Sequence, residues 1–141
     1  MAEINFPVKL KLRIDWGDLD SFGHVNNVAI FKYIQASRVK YIEKLGLTKM
    51  HNESKIGPVL ASCQCEFKIP LFYPGQITIL SKVDFIKNTS FCIFHQIRND
   101  KNQVTGEARD ILVLFDFNEN SKVQIPQKIR KLIDKMEGKT F

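Results

Sequence analysis

The chain has no hydrophobic run long enough to span a bilayer. No segment of its 141 residues approaches the ~20 apolar residues of a membrane helix, and Met1-Ala2-Glu3-Ile4-Asn5-Phe6-Pro7 lacks the apolar stretch of a secretory signal. These absences predict a soluble, cytoplasmic protein without a membrane partner. Cysteine is scarce. Cys63, Cys65 and Cys92 are odd in number and fall within apolar alternation, which excludes a secreted disulfide framework and predicts reduced core thiols. There is no internal repeat, low-complexity tract or linker, so 44% hydrophobic composition over this length predicts one domain covering residues 1–141.

Several chemistries lack their motifs. Without a Gly-x-Ser-x-Gly elbow or a glycine-rich phosphate loop, serine hydrolases and nucleotide hydrolases are excluded. Asp15, Asp18 and Asp20 suggest calcium, but twelve-residue loops begun at each would end on Asn26, Ala29 or Phe31 instead of glutamate. Cys63-x-Cys65 with His51 or His95 lacks paired zinc-ligand spacing. No metal and no cofactor are therefore expected. The balance of 21 Lys+Arg against 15 Asp+Glu gives +6, which favours an acidic partner without choosing between nucleic acid, a phosphate-bearing compound and a carrier protein. Lys128, Arg130, Lys131 and Lys135 are interrupted by Asp134 and Glu137, the pattern of a solvated helix face rather than a nucleic-acid surface.

Periodicity supplies the elements that are present. Val8, Leu10, Leu12 and Ile14 alternate with Lys9, Lys11 and Arg13 as in a half-buried strand. Ile30, Tyr33, Ile34, Ser37, Tyr41, Ile42 and Leu45 recur at helical spacing before Gly46, predicting a helix from Asn27 to Leu45, about 28 Å long at ~1.5 Å per residue. Beyond Gly46 the pattern reads as extended. Strands are expected through Val59–Ile69, Ile77–Phe85, Phe91–Ile97 and Val104–Phe117, with turns at Tyr73-Pro74-Gly75, Lys87-Asn88-Thr89-Ser90 and Asp100-Lys101-Asn102-Gln103. Pro126 opens a short terminal helix striped by Ile129, Leu132, Ile133 and Met136. The sum is an α+β fold in which a five-stranded antiparallel sheet buries one long helix.

Between the first strand and that helix lies Trp16-Gly17-Asp18-Leu19-Asp20-Ser21-Phe22-Gly23-His24-Val25-Asn26-Asn27, with acids, a histidine, amides and glycines concentrated at a helix N-terminus. The string Asp18-x-Asp20-x-x-Gly23-His24-Val25-Asn26-Asn27, followed by Tyr33 and Ala36-Ser37-Arg38, resembles the hotdog-fold acyl-CoA thioesterases of the 4-hydroxybenzoyl-CoA thioesterase group. The later strand order and the Ile125-Pro126 start of the last helix extend that resemblance over nearly the whole chain.

The resemblance implies hydrolysis of an acyl-CoA or acyl-carrier-protein thioester, with Asp20 as general base or nucleophile and the backbone N–H of Asn27 or its neighbours polarising the carbonyl. It gives His24 and Asn26 supporting roles, sets Gly23 and Val25 beside the substrate, and offers Lys87 and Ser90 as contacts for the coenzyme end. It also implies a homodimer or homotetramer. Physical chemistry points the same way, because a thioester needs a carboxylate to activate water or attack, and unpaired helix amides to hold the oxyanion. Asp20 could instead close an Asx turn or cap the helix, and Asp18 could brace the loop. Ile30 and Gln35 replace a tyrosine and a glutamate found in many relatives, which leaves more to Asp20. The helix lacks a mid-length acid of the kind that serves dehydratases, so dehydration is disfavoured. A non-catalytic acyl-CoA-binding hotdog protein is the alternative.

Overall fold

In the computed structural model, residues 5–141 are described, so Met1–Ile4 of the N-terminal stretch read above lie outside the described residues. Alternation in the first strand yields β1 (Val8–Arg13), and the helical stripe yields α1 (Asn27–Lys44). Gly46 ends that helix in the left-handed region, at φ +73°, where glycine has no Cβ to clash.

The chain does not become extended there, as the sequence pattern suggested. A second helix, α2 (Leu47–Ser54), intervenes before β2 (Ile56–Phe67). Gly46 serves as its N-cap and sends Leu47 into the core, with Met50 packed behind it. Two helical turns are too short for a periodic signal to stand out.

The remaining elements are β3 (Gln76–Ile86), β4 (Ser90–Arg98), β5 (Val104–Asp116), the two-residue β6 (Ser121–Lys122) and α3 (Gln127–Glu137). The sheet is antiparallel in the order β1-β3-β4-β5-β2, with β6 added alongside β5. It curls around α1, the arrangement implied by the hotdog resemblance. Among the described residues no helix is long and apolar enough to cross a membrane.

Two apolar clusters fill the space between α1 and the sheet. Val25, Ala29, Tyr33 and Ile34 meet Ile77, Ile79, Ile97 and Leu71 toward the start of the helix. Tyr41 and Leu45 meet Val83, Phe91, Ile93 and Leu112 toward its end, where Ile129 and Ile133 of α3 close the base. Glu137, at the end of α3, accepts hydrogen bonds from the Tyr41 hydroxyl and, at 2.9 Å, from Val83 N–H.

Strand β2 differs from its expected alternation. A register shift between Leu60 and Ser62 leaves Ala61 as an extra residue against β5, so Leu60 and Cys63 both turn toward α1. The expected core thiols are correspondingly uneven. Cys92 is buried, whereas Cys63 and Cys65 are half-buried, because among the described residues β2 is an edge strand with no neighbour on its outer side; all three are free thiols.

Candidate active site

The loop from Ile14 to Asn26 is held by its own acids. Asp18 N–H donates to Asp15 C=O at 2.9 Å, and Asp18 Oδ2 accepts from Asp15 N–H at 3.1 Å and from the Tyr33 hydroxyl at 2.6 Å. Asp18 C=O also receives Asn26 N–H at 2.9 Å. Asp18 thus ties the loop to the first turns of α1, the bracing role open to it from sequence. Burial, and then the bond to Asp18, push the Tyr33 hydroxyl well above the usual tyrosine range, so it stays a donor.

Asp20 lies in a tight turn that closes on His24. Its N–H donates to His24 C=O at 2.7 Å, and its Oδ1 accepts from the N–H groups of Phe22, at 2.9 Å, and His24, at 3.1 Å. Gly23 completes the turn at φ +80°. One carboxylate oxygen therefore does the work of an Asx turn. Among the described residues no donor meets the other, Oδ2.

The chain after the turn is stitched to the segment following β2. Val25 N–H donates to Leu71 C=O at 2.9 Å, His24 bridges to Phe72, and the His24 ring meets the Phe72 ring edge-on with centroids 5.0 Å apart. Lys68 and Ile69 N–H both donate to Thr105 C=O, at 2.8 and 3.1 Å, and Lys68 Nζ pairs with Glu107 at 2.5 Å. Between these walls opens a cleft of about 440 Å³, lined by Asp20, His24, Val25, Asn27 and Ile30 on one side and by Phe67–Leu71 on the other. The exposed rings of Trp16, Phe22 and Phe72 lie in the segments around it.

Helix α1 begins at this cleft. Asn26 is its N-cap, with Oδ1 accepting Ala29 N–H at 2.7 Å, so its side chain is committed to the helix start. Among the described residues the next two amides, Asn27 N–H and Val28 N–H, have no acceptor. The first turn carries no acidic side chain, so the positive end of the helix is not neutralised from within α1. Asn27 lines the cleft, so an anion forming there would meet a free helix-end donor and that potential together.

The structure thus brings Asp20, His24, Val25 and Asn27 to one cleft, with Gly23 shaping the turn and Asn26 capping the helix behind it. Lys87 and Ser90 are not brought there. They flank the β3–β4 connection, beside the C-terminal end of α1, roughly 27 Å of helix from Asn27. At that end Arg130 of α3 donates to the Lys87 carbonyl, and Lys87 Nζ lies 5.5 Å from the Phe85 ring. The wall Phe67–Leu71 carries one mark in the sequence, Pro70, which halts β-pairing just after an alternating strand. Among the described residues no three His, Cys, Asp or Glu side chains gather to hold a metal ion.

A family model described as the thioesterase-like superfamily matches residues 14–133. Among solved structures, the PA2801 protein of Pseudomonas aeruginosa is 26% identical and superposes with a TM-score of 0.81, covering 92% of this chain and 99% of that one. A thioesterase of Thermus thermophilus, solved with coenzyme A and zinc, is 20% identical with a TM-score of 0.85, covering 96% of this chain and 98% of its own. An uncharacterised Bacillus subtilis protein, YsmA, is 27% identical over 85 residues, which are 60% of this chain and 56% of that protein. The match thus spans little more than half the length of that curated relative.

Proposed function

The chain belongs to the thioesterase-like superfamily, and from that premise we propose that it hydrolyses an acyl thioester of coenzyme A or of an acyl-carrier protein, using Asp20 and the free amides at the start of α1. The observation that carries this reading is the shared cleft: Asp20, with one unengaged carboxylate oxygen, and Asn27, whose N–H at the start of α1 is unpaired, line the same space. The thioester carbonyl would lie at the Asn27 and Val28 amides. Asp20 Oδ2 would take a proton from water as the water oxygen bonds to the carbonyl carbon, and the amides would hold the resulting oxyanion. Collapse would break the C–S bond, with the proton passing to the departing sulfur.

The same placement would let Asp20 attack directly, forming a mixed anhydride that water then opens. Label in the Asp20 side chain after a single turnover in isotope-labelled water establishes direct attack, with the anhydride opened at the aspartyl carbon. His24, held edge-on by Phe72, would orient the water or the carbonyl, and Val25 would line the acyl group.

We read residues 1–141 as one functional unit assembled at least as a dimer. Among the described residues both β1 and β2 end the sheet, and β2 exposes Val59, Leu60 and Phe67 along an unpaired edge. Lys87 and Ser90 could then reach a coenzyme only from a neighbouring subunit. Sedimentation at working concentration tests this, and a fully active monomer would end it.

One observation favours a second reading, a binding protein without turnover: Asp20 Oδ1 already has structural work in the turn. A panel of aliphatic and aromatic acyl-CoA and acyl-carrier-protein thioesters, followed by release of free thiol, decides between them. Hydrolysis lost in Asp20→Asn supports the enzyme. Tight binding with no thiol release supports the binder.

A further inference from the structure

A chain of polar side chains runs through the middle of the core, between the two apolar clusters. Ser37 Oγ of α1 lies 2.6 Å from Ser81 Oγ of β3, Ser81 Oγ lies 2.6 Å from His95 Nδ1 of β4, and His95 Nε2 lies 2.7 Å from Asp110 Oδ2 of β5. Arg38, the residue after Ser37, returns to the same Asp110 oxygen at 3.0 Å. Ser37, Ser81, His95 and Asp110 are all fully buried. Burial works against the Asp110 charge, but the bonds from His95 and the Cys63 thiol, with the Arg38 charge, outweigh it and hold the carboxyl below its usual range. Asp110 is therefore an acceptor, and His95 Nε2 carries the proton it receives.

None of these groups reaches the cleft, and their cost must be explained otherwise. Apolar side chains of similar volume often stabilise a core as well as a buried ionic cluster does, so stability alone does not account for the layer. Geometry does. Apolar contact is non-directional, so the clusters at the two ends of α1 fix its slide and roll less sharply than directional bonds do. Hydrogen bonds of this length are directional. Ser37 and Arg38 point about 100° apart on the helix and grip β3 and β5, two strand spacings or roughly 10 Å apart. His95 spans the gap, paired directly with Ser81 and diagonal to Asp110, two residues beyond its partner Ala108.

We infer that the buried layer Ser37–Ser81–His95–Asp110–Arg38 fixes the axial and rotational register of α1 on the sheet, and so positions the Asn27 and Val28 amides some 15 Å away along a rigid helix. These five are positioning residues. The link to turnover rests on the thioesterase reading above; the link to amide position does not. Since a misplacement of about 1 Å at a reacting centre can cost about 10²-fold in rate, a small slip is enough to matter.

The test replaces the layer by apolar side chains in one protein: Ser37→Ala, Arg38→Met, Ser81→Ala, His95→Leu and Asp110→Leu. It reads the Asn27 and Val28 amide resonances, the unfolding midpoint, and kcat and KM on an acyl-CoA that the wild type hydrolyses. The expected protein unfolds cooperatively near the wild-type midpoint, its two amide resonances move or broaden, and kcat falls about 10²-fold with KM changed only a few-fold and the pH profile unshifted. Ile34→Val, an apolar change on the same helix face, should lower the midpoint without moving those resonances. Unmoved resonances in the folded layer variant overturn the inference. Moved resonances with full kcat overturn its link to turnover. If the layer variant does not fold, Ser37→Ala alone is read the same way, with a smaller displacement expected and an unmoved pair of resonances again overturning it. A wild type that cleaves no thioester defeats the functional reading, while the resonances still decide the register.

Discussion

Proline at position 27 removes one candidate oxyanion donor while leaving the helix start its geometry. Asn27 is the first residue of α1, and its N–H has no acceptor among the described residues, so proline there deletes no helical hydrogen bond. The residue before a proline must be extended, and Asn26 already is, at φ −76° and ψ 160°. Asn26 Oδ1 still receives Ala29 N–H, so the cap survives. Asn27→Pro should therefore fold with a midpoint within a few degrees of wild type. Loss of one oxyanion donor costs about 2.7–4 kcal/mol in activation free energy, or about 10²–10³ in kcat. Because Val28 N–H remains, the lower end of that range is expected. Asn27→Ala keeps the N–H and controls for the side chain. The assay is steady-state thiol release with each variant, read as kcat and KM separately, and the loss should fall on kcat. A folded Asn27→Pro protein with the kcat of Asn27→Ala would refute the assignment of this amide.

Asp20→Asn retains an oxygen for Phe22 and His24 N–H, so it should hold the turn while lowering turnover about 10²–10⁴-fold; Asp20→Ala should lose the turn as well and melt a few degrees lower. Equal kcat for wild type and folded Asp20→Asn would remove Asp20 from the chemistry. Gly23→Ala meets no neighbouring atom but must accept φ +80°, so about 1–2 kcal/mol of strain should appear in denaturant unfolding; a neutral result would mean the turn relaxes freely. Burial raises the Glu137 carboxyl above its usual value, so the native state holds this proton more tightly than the unfolded chain. This group's contribution to stability should therefore fall as pH climbs from about 4.3 through the raised folded value. Glu137→Gln keeps an acceptor for Tyr41 and Val83 and should flatten that slope, with stability at neutral pH equal or slightly higher; an unchanged slope measured by pH-dependent melting contradicts the sign.

Elements with several repeats of a period were legible in the sequence. The alternation in β1 and β3 and the stripe of α1 each rest on several residues facing one way, which chance seldom supplies. β4 and β5 were legible as strands but not by face, since β4 is buried on both sides and in β5 Ala108, Asp110, Leu112 and Leu114 turn inward while the apolar Ile111, Val113 and Phe115 do not. Two-turn α2 and two-residue β6 offer no such repetition, and the extra residue at Ala61 inverts the alternation of β2 without changing its composition. The Asp20–Asn27 half of the cleft could be read because it is contiguous. Its other wall, Phe67–Leu71, is held to β5 at Thr105 and to Val25 through Leu71, contacts that leave no local pattern. Ser81 and His95 were visible as strand positions. Their polarity at inward-facing sites was the mark of the buried layer.

The order of the strands also sets a schedule. β3, β4 and β5 are joined by short turns and can pair as soon as they meet, whereas pairing of β1 with β3 must enclose residues 14–75. Closing so long a loop costs roughly 2–3 kcal/mol more than closing a hairpin turn of a few residues. The whole cleft assigned to the thioester carbonyl, from the Asp20 turn to the start of α1 and the Phe67–Leu71 wall, lies inside that loop. A newly made chain would carry a formed β-meander before it had any site, and a native chain whose edge strand β1 peeled away would lose the site while the meander stood.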